Sequence, residues 1–452
     1  MNNSLRIIPL GGGPGMVTNN MFVYEFGNDA FIIDCGIGFP EDKISDDILI
    51  PDVKYLIDNP KKIHGIVLSH AHDDHIAALP YILPKLGRIP IYASRLTTGF
   101  AKDRLKEFDQ NPQINTIKEN DQVKIGPFTL HPIHVTHSVP DAMHFVINTP
   151  IGNIYHGSDF KFDLTPLDNW PSNLRKIAQL SNQGILCLLS DCLRSERPGF
   201  TPSETTISQA IHREITHCPG RLIFTTLSSQ IHRIQQAVDV AVSHNRKIAF
   251  VGFSMENNTQ TANLLGYLRL PRKNILTKNK IKKTPDHKLC LIVAGSQGQE
   301  SSSLTRYASN THRFLKPKPT DKVIYSTDII PGNEQLVFKV IDQLTSQGIK
   351  VIYQETANDL HVSGHASAGE IQLLMQLANS RYLYPIGGSF RHMHQYASLA
   401  KQIGYRQDQI ILPKNAQIVE FNKSGKYQLT ETLKLQEVRI NQNQTKPASK
   451  NR

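Results

Sequence analysis

His64-Gly-Ile-Val-Leu-Ser-His70-Ala-His72-Asp-Asp74-His75 opens as a buried strand and closes on a cluster of ligands. Residues 64–69 are largely apolar and β-branched at their centre, as a short interior strand requires. His70, His72, Asp74 and His75 then fall within six residues of the strand end. Zinc takes imidazole nitrogen and carboxylate oxygen in a roughly tetrahedral shell, so an H-x-H-x-D-H string can serve two adjacent shells. A polar loop with chance histidines is the bland alternative. It loses because more candidate ligands follow at other strand ends.

Working outward, His137 in Val135-Thr-His-Ser-Val-Pro-Asp141 and Asp159 in His156-Gly-Ser-Asp-Phe-Lys-Phe-Asp163 each end a short apolar segment. Asp34 ends Ala30-Phe-Ile-Ile-Asp34, and Asp191 ends Ile185-Leu-Cys-Leu-Leu-Ser-Asp191. Residues 5–10, 21–26, 122–133, 145–149 and 153–156 read as further strands, with a glycine-rich turn at Gly11–Gly15. Asp74 to Leu86 reads as a helix that Pro80 and Pro84 must bend or end. From about 204 the rhythm changes. Helices over 203–215, 231–243 and 259–268 alternate with strands over 221–226, 247–252, 289–295 and 322–326, which predicts a parallel α/β unit. After Gly348-Ile-Lys-Val-Ile-Tyr353 the first style resumes.

The chain has 452 residues, enough at roughly 150 per domain for three domains, or two with an insertion. Its net charge is +11 and its pI about 9.3, which suggests a polyanionic partner: nucleic acid first, an anionic membrane surface second. Arg269 to Lys288 carries a net +7, and Lys and Arg there would give salt-dependent contact with phosphates. A solvated loop remote from substrate is the alternative for this segment. Aromatics are only 7%, with Trp170 the single tryptophan, so an extended base-stacking platform is not indicated. No apolar run reaches the length of about 18 residues that a membrane span needs. The N-terminal residues do not form a signal peptide. Five scattered cysteines without a C-x-x-C fit a reducing cytoplasm.

The metal-ligand set resembles the metallo-β-lactamase superfamily. Further motifs narrow it. Ile8-Pro-Leu-Gly-Gly12, Asp34-Cys-Gly-Ile-Gly-Phe-Pro-Glu-Asp42, Thr136-His-Ser-Val-Pro-Asp141, Asp159-Phe-Lys-Phe-Asp163, Glu196-Arg-Pro-Gly-Phe-Thr-Pro-Ser-Glu204 and His361-Val-Ser-Gly-His-Ala-Ser367 look like ribonuclease J, in collinear order. The resemblance covers about residues 5–425. It implies an α/β fold: a metallo-β-lactamase αββα sandwich interrupted by a β-CASP α/β domain. The expected limits are 1–203 and 357–440 for the sandwich, 204–356 for the insert, and 441–452 for a disordered basic tail. It also implies that His70, His72 and His137 hold one zinc, that Asp74 and His75 hold a second, and that Asp159 bridges. Asp34 would orient the loop. Asp191 matches motif A, although Cys192-Leu-Arg194 departs from the usual Ser-Thr-Asn. His365 matches motif B and would assist the leaving group, while Ser363, Gly364 and Ser367 would help to hold a substrate phosphate. His131, His134, His144 and His156 are read as structural.

Two departures stand out. Motif C normally reads Pro-Ile-His-Gly, and its histidine binds the second zinc. Here the segment is Tyr384-Pro-Ile-Gly-Gly-Ser-Phe-Arg391, with Gly387 at the histidine position. The first zinc is therefore expected to be firmly held and the second site weakened, with manganese an alternative there. His392 and His394 on the following helix are the nearest substitutes. The family's small C-terminal domain is also expected to be missing, which leaves homo- or hetero-oligomerisation with ribonuclease J-type subunits open. The resulting expectation is a cytoplasmic, metal-dependent ribonuclease acting on single-stranded RNA, as 5′-to-3′ exonuclease, endonuclease or both, in mRNA decay and rRNA maturation. The rivals are a weakly active or inactive RNA-binding subunit and a small-molecule hydrolase of the metallo-β-lactamase type.

Overall fold

Period-two alternation in the N-terminal segments builds the first sheet. Leu5 and Ile7, Phe22 and Tyr24, and Phe31 and Ile33 point to one face of it. Fully burying each such side chain contributes about 1.5–3 kcal/mol. Its eight strands are, in order, Tyr427–Thr432, Gln417–Phe421, Leu5–Gly11, Met21–Phe26, Asp29–Ile33, Lys62–Leu68, Ile91–Ala93 and Ile114–Thr116. The computed structural model describes residues 4–40, 47–330 and 332–441. Glu41 and Asp42 of the second family motif lie outside them, and so does the expected basic tail beyond Asn441.

The second sheet has six strands: Tyr382–Ile386, Ile185–Asp191, Asn153–Gly157, Ala142–Asn148, Phe128–Val135 and Val123–Ile125. Its Phe128, Leu130, Phe145, Leu189 and Tyr384 meet the first sheet in one continuous core. Its other face is covered by helices Leu174–Ser181, Ala368–Ala378 and Phe390–Gln402, through Ile177, Ile371, Leu374 and Tyr396. Helix Arg95–Lys106 packs on the edge strands of the first sheet. This is the αββα sandwich.

Strand direction gathers the chemistry at one edge. Asn153–Gly157, Ile185–Asp191 and Tyr382–Ile386 run parallel, so Asp159, Asp191 and Gly387 emerge at the same end. Asp29–Ile33 and Lys62–Leu68 are likewise parallel, which brings out Asp34 and His70 together.

The chain divides into two compact units. One comprises Met1–Leu164, Pro171–Thr201 and Gly364–Arg452, the other Thr165–Trp170 and Pro202–Ser363. The second unit contains a five-stranded, wholly parallel sheet in the order Lys247–Val251, Leu289–Val293, Leu222–Thr225, Lys322–Tyr325, Lys350–Ile352. Helix Ile231–Ser243 carries Arg233, which is fully buried and paired with Glu204 at 2.8 Å. Residues 357–363, expected in the returning segment of the sandwich, belong to this second unit.

Several local expectations change. The helix after the ligand string is two helices, Asp73–Ile76 and Leu79–Leu86, broken before Pro80; Pro84 stays inside the second. Residues 122–133 form a hairpin rather than one strand, because Gly126 takes a left-handed φ of 59°. The helix expected over 259–268 runs from Phe253 to Leu264, starting directly after Gly252. Helices Ser303–Ala308 and Glu334–Thr345 were not legible in the sequence pattern.

Candidate metal centre

Hydrogen bonds fix which nitrogen of each histidine is free. Ser69 Oγ donates to Asp34 Oδ2 at 2.8 Å, so it accepts from His70 Nδ1–H at 3.0 Å and leaves His70 Nε2 bare. His137 Nδ1–H donates to the Gly364 carbonyl at 2.7 Å, leaving its Nε2 bare. His72 Nε2 pairs with Ser138 Oγ at 3.2 Å, which turns its Nδ1 toward the other two rings. These nitrogens converge: His72 Nδ1 is 3.2 Å from His70 Nε2 and 3.0 Å from His137 Nε2. Asp159 Oδ2 lies 3.7 Å from both Nε2 atoms.

Three unprotonated lone pairs aimed at one another repel unless a cation lies among them. Ligands about 2.0–2.1 Å from a tetrahedral zinc sit roughly 3.3 Å apart, so these spacings fit such an ion. Burial, reinforced by the neighbouring imidazoles, keeps His70 and His137 well below the usual histidine range. Burial brings His72 down to about 3. All three are therefore neutral, as metal ligands must be.

A second group adjoins the first. His75 Nδ1–H donates to Asp34 Oδ2 at 2.7 Å, which turns His75 Nε2 toward Asp159 Oδ2 at 3.4 Å and Asp74 Oδ2 at 3.5 Å. Asp34 also accepts the Ser69 backbone N–H at 2.7 Å. One carboxylate thus locks the orientation of His75 and, through Ser69, of His70; partners of this kind set ligand geometry and basicity. Asp159 belongs to both groups, and His70, His72, His137 and Asp159 on one side and Asp74, His75 and Asp159 on the other can each hold a metal ion. Burial opposes charge on His75, but Asp74, Asp159 and Asp34 together raise its pKa well above the ordinary value.

His365 stands beside this pair. Its Nδ1 donates to Asp191 Oδ2 at 2.7 Å, and its Nε2 is 3.8 Å from Asp159 Oδ2. Burial works against its charge, yet Asp191 and Asp159 raise its pKa to about 9. Gly364 precedes it and must be glycine, since a Cβ there would sit 2.7 Å from the His137 ring. Ser367 caps helix Ala368–Ala378 and bonds Thr201 Oγ1 at 2.9 Å, so its hydroxyl is already engaged. Ser363 is the last residue of the second unit.

Gly387 has φ +68°, and a Cβ there would meet only Asp191 Oδ1, at 3.7 Å. Neither suggested substitute joins the clusters found among the described residues. His392 Nδ1 accepts from the Ser389 backbone in a helix cap, and its Nε2 faces Glu196 at 3.6 Å. His394 is exposed. His144 and His156 are buried in hydrogen bonds to Tyr155 and Tyr24 and belong to neither ligand group, and burial lowers both to about 3.

Two residues here were not singled out from the sequence. Glu370 is fully buried, and its carboxylate accepts the backbone N–H groups of Phe162 (2.7 Å), Thr201 (2.7 Å) and Ser367 (2.9 Å). It ties the loop after Asp159 to the loop carrying His365. The Ser367-x-x-Glu370 capping pattern was a readable signal for the helix start, not for these remote partners. The second residue, Asn20, places its amide 3.0 Å from His75 Nε2.

A two-sheet sandwich with histidine and carboxylate ligands at its strand ends defines a metallo-β-lactamase-type protein. Residues 14–183 match the metallo-beta-lactamase superfamily, and residues 219–344 match the Ribonuclease J, beta-CASP domain family. The chain is 40% identical over 428 residues to Ribonuclease J of Thermus thermophilus, covering 93% of this chain and 74% of that one. It is 39% identical over 423 residues to Ribonuclease J of Helicobacter pylori (strain 26695), covering 92% of this chain and 61% of that one. To Ribonuclease J2 of Bacillus subtilis it is 34% identical, covering 92% and 75%. It belongs to the ribonuclease J family. A crystal structure of a protein of unknown function from Enterococcus faecalis V583 shares the fold, with a TM-score of 0.61 at 15% identity, covering 94% of this chain and all of that one.

Proposed function

We propose that this protein is a metal-dependent ribonuclease that hydrolyses phosphodiester bonds of single-stranded RNA. The observation that carries the reading is the pair of ligand groups sharing Asp159, in a chain of this family. His70, His72 and His137 would hold the first metal, Asp74 and His75 the second, and Asp159 both. Bound metals supply an activated water and neutralise charge on the phosphoryl oxygens. The protein's own part is orientation. Asp34 aims His75 and, through Ser69, His70. Asp191 holds the His365 imidazole with Nε2 turned toward Asp159, a position from which it can give a proton to the departing oxygen. Gly364, His365 and Ser367, with Ser363, form the proposed phosphate-binding segment, in which Ser367 acts by shaping the loop.

The finer reading is a cytoplasmic enzyme with 5′-to-3′ exonuclease action on 5′-monophosphorylated RNA, endonuclease action or both, serving mRNA decay and rRNA maturation. Zinc fills the first site, and zinc or manganese the second. Among the described residues no helix is long and apolar enough to cross a membrane. The basic stretch 269–288 supports a polyanionic substrate, although Lys278 is engaged by Glu256 at 2.8 Å. Assembly with other ribonuclease J-type subunits is part of the proposal.

The test is metal content measured beside turnover of 5′-labelled single-stranded RNA. The proposal expects at least one metal per chain and RNA loss that stops with chelator and returns with zinc or manganese. Less than one metal and stable RNA would refute it in favour of a non-catalytic RNA-binding subunit. Cleavage of nitrocefin or S-lactoylglutathione with intact RNA would point to the small-molecule hydrolase.

A further inference from the structure

Measured against the family pattern, the second ligand group is one short: Asp74, His75 and Asp159 offer three atoms, and Gly387, at the position of the family's fourth ligand, offers no side chain. Asn20, on the turn before strand Met21–Phe26, lies beside them. Its Nδ2 is 3.0 Å from His75 Nε2 and 3.3 Å from Asp74 Oδ2. With the edges of 3.4 and 3.5 Å from His75 Nε2 to Asp159 and Asp74, these are the spacings of ligands sharing one ion, roughly 3.3 Å for zinc. Asn20 is 5% exposed, so its place is set by the fold. Its backbone N–H donates to the Asp74 carbonyl at 3.0 Å, and its own carbonyl accepts from Gly36 at 3.0 Å.

We infer that Asn20 completes the second metal site, its side-chain oxygen taking the place that Gly387 leaves empty. The inference rests on the two-metal reading above. The amide ends in two atoms of nearly equal size, and a half-turn about Cβ–Cγ puts Oδ1 where Nδ2 now lies. That turn gives up the Nδ2 bond to the Asp74 carbonyl at 3.2 Å, but this carbonyl keeps the Asn20 backbone donor. An amide oxygen is a neutral, hard ligand. It suits manganese, which favours oxygen donors, better than the imidazole it replaces. The second site of this chain is therefore shifted toward oxygen-preferring metals.

The experiment is equilibrium dialysis of the full chain against buffered zinc or manganese, with bound metal counted by mass spectrometry. The wild type takes two equivalents. Asn20→Ala keeps the first and binds the second at least ten-fold more weakly. Asn20→Asp, which retains an oxygen, keeps both. Two equivalents with unchanged affinity in Asn20→Ala overturn the Asn20 assignment alone. So does equal loss of the second metal in Asn20→Asp, or loss of both metals in Asn20→Ala, which would make Asn20 structural. One equivalent in the wild type overturns the two-metal reading itself.

Discussion

Replacing Glu370 by Gln should loosen the metal-centre loops without touching a ligand. The carboxylate accepts three backbone N–H groups in full burial. A hydrogen bond to a charged group is worth about 1.5–3 kcal/mol, and a buried donor left without an acceptor costs about 1–3 kcal/mol. Gln keeps one oxygen. If it serves Thr201 and Ser367 through the site of Oε2, its amide nitrogen faces the Phe162 N–H, donor against donor. The loss is then about 2–4 kcal/mol, within a domain's usual margin of about 5–15 kcal/mol, so the protein still folds. At 1.4 kcal/mol per factor of ten, exchange of the amides near 162, 201 and 367 should accelerate at least roughly 30-fold. Hydrogen exchange followed by mass spectrometry reads those segments directly. Turnover should fall as well, since Asp159 and His365 sit on the tethered loops, while the first metal remains bound through His70, His72 and His137. Unchanged exchange in all three segments would show that the carboxylate is not their anchor.

Other substitutions probe the remaining parts. Asp34→Ala strips His75 Nδ1 and Ser69 of their acceptor, and affinity for the second metal should drop about 10–100-fold in a metal titration. Gly387→His adds a Cβ that meets only Asp191 Oδ1; despite a backbone strain of about 1–3 kcal/mol from its φ, the second metal should bind more tightly, and unchanged metal content would mean that Gly387 does not face that site. Asp191→Asn removes the charge partner of His365, and kcat on labelled RNA should fall about 10²-fold with little change in KM; a preserved kcat would exclude His365 as proton donor. Changing Lys280, Lys282 and Lys283 to Ala together should flatten the salt dependence of single-stranded RNA binding by as much as about two in log–log slope, read by filter binding; an identical slope would place this loop off the RNA path.

The ligand string, His137, Asp159 and Asp34 could be read from the sequence because metal chemistry restricts residue type and each ligand follows its own short apolar strand. The insertion showed as a change from strand-rich to alternating rhythm, since hydrophobic period is a local property. That a glycine, Gly387, stands where the family pattern has a histidine was equally plain, being a matter of a single residue. The tautomers of His70, His72 and His137, by contrast, depend on Ser69, Ser138 and the Gly364 carbonyl, the last lying 227 positions from its histidine. Glu370 reaches partners 208 and 169 positions away, and Asn20 meets its neighbours across 54 and 55. Local pattern selected the donor atoms. Tertiary packing decided which lone pairs face one another and which residue stands beside the gap, because hydrogen bonds between distant segments leave no period in the chain.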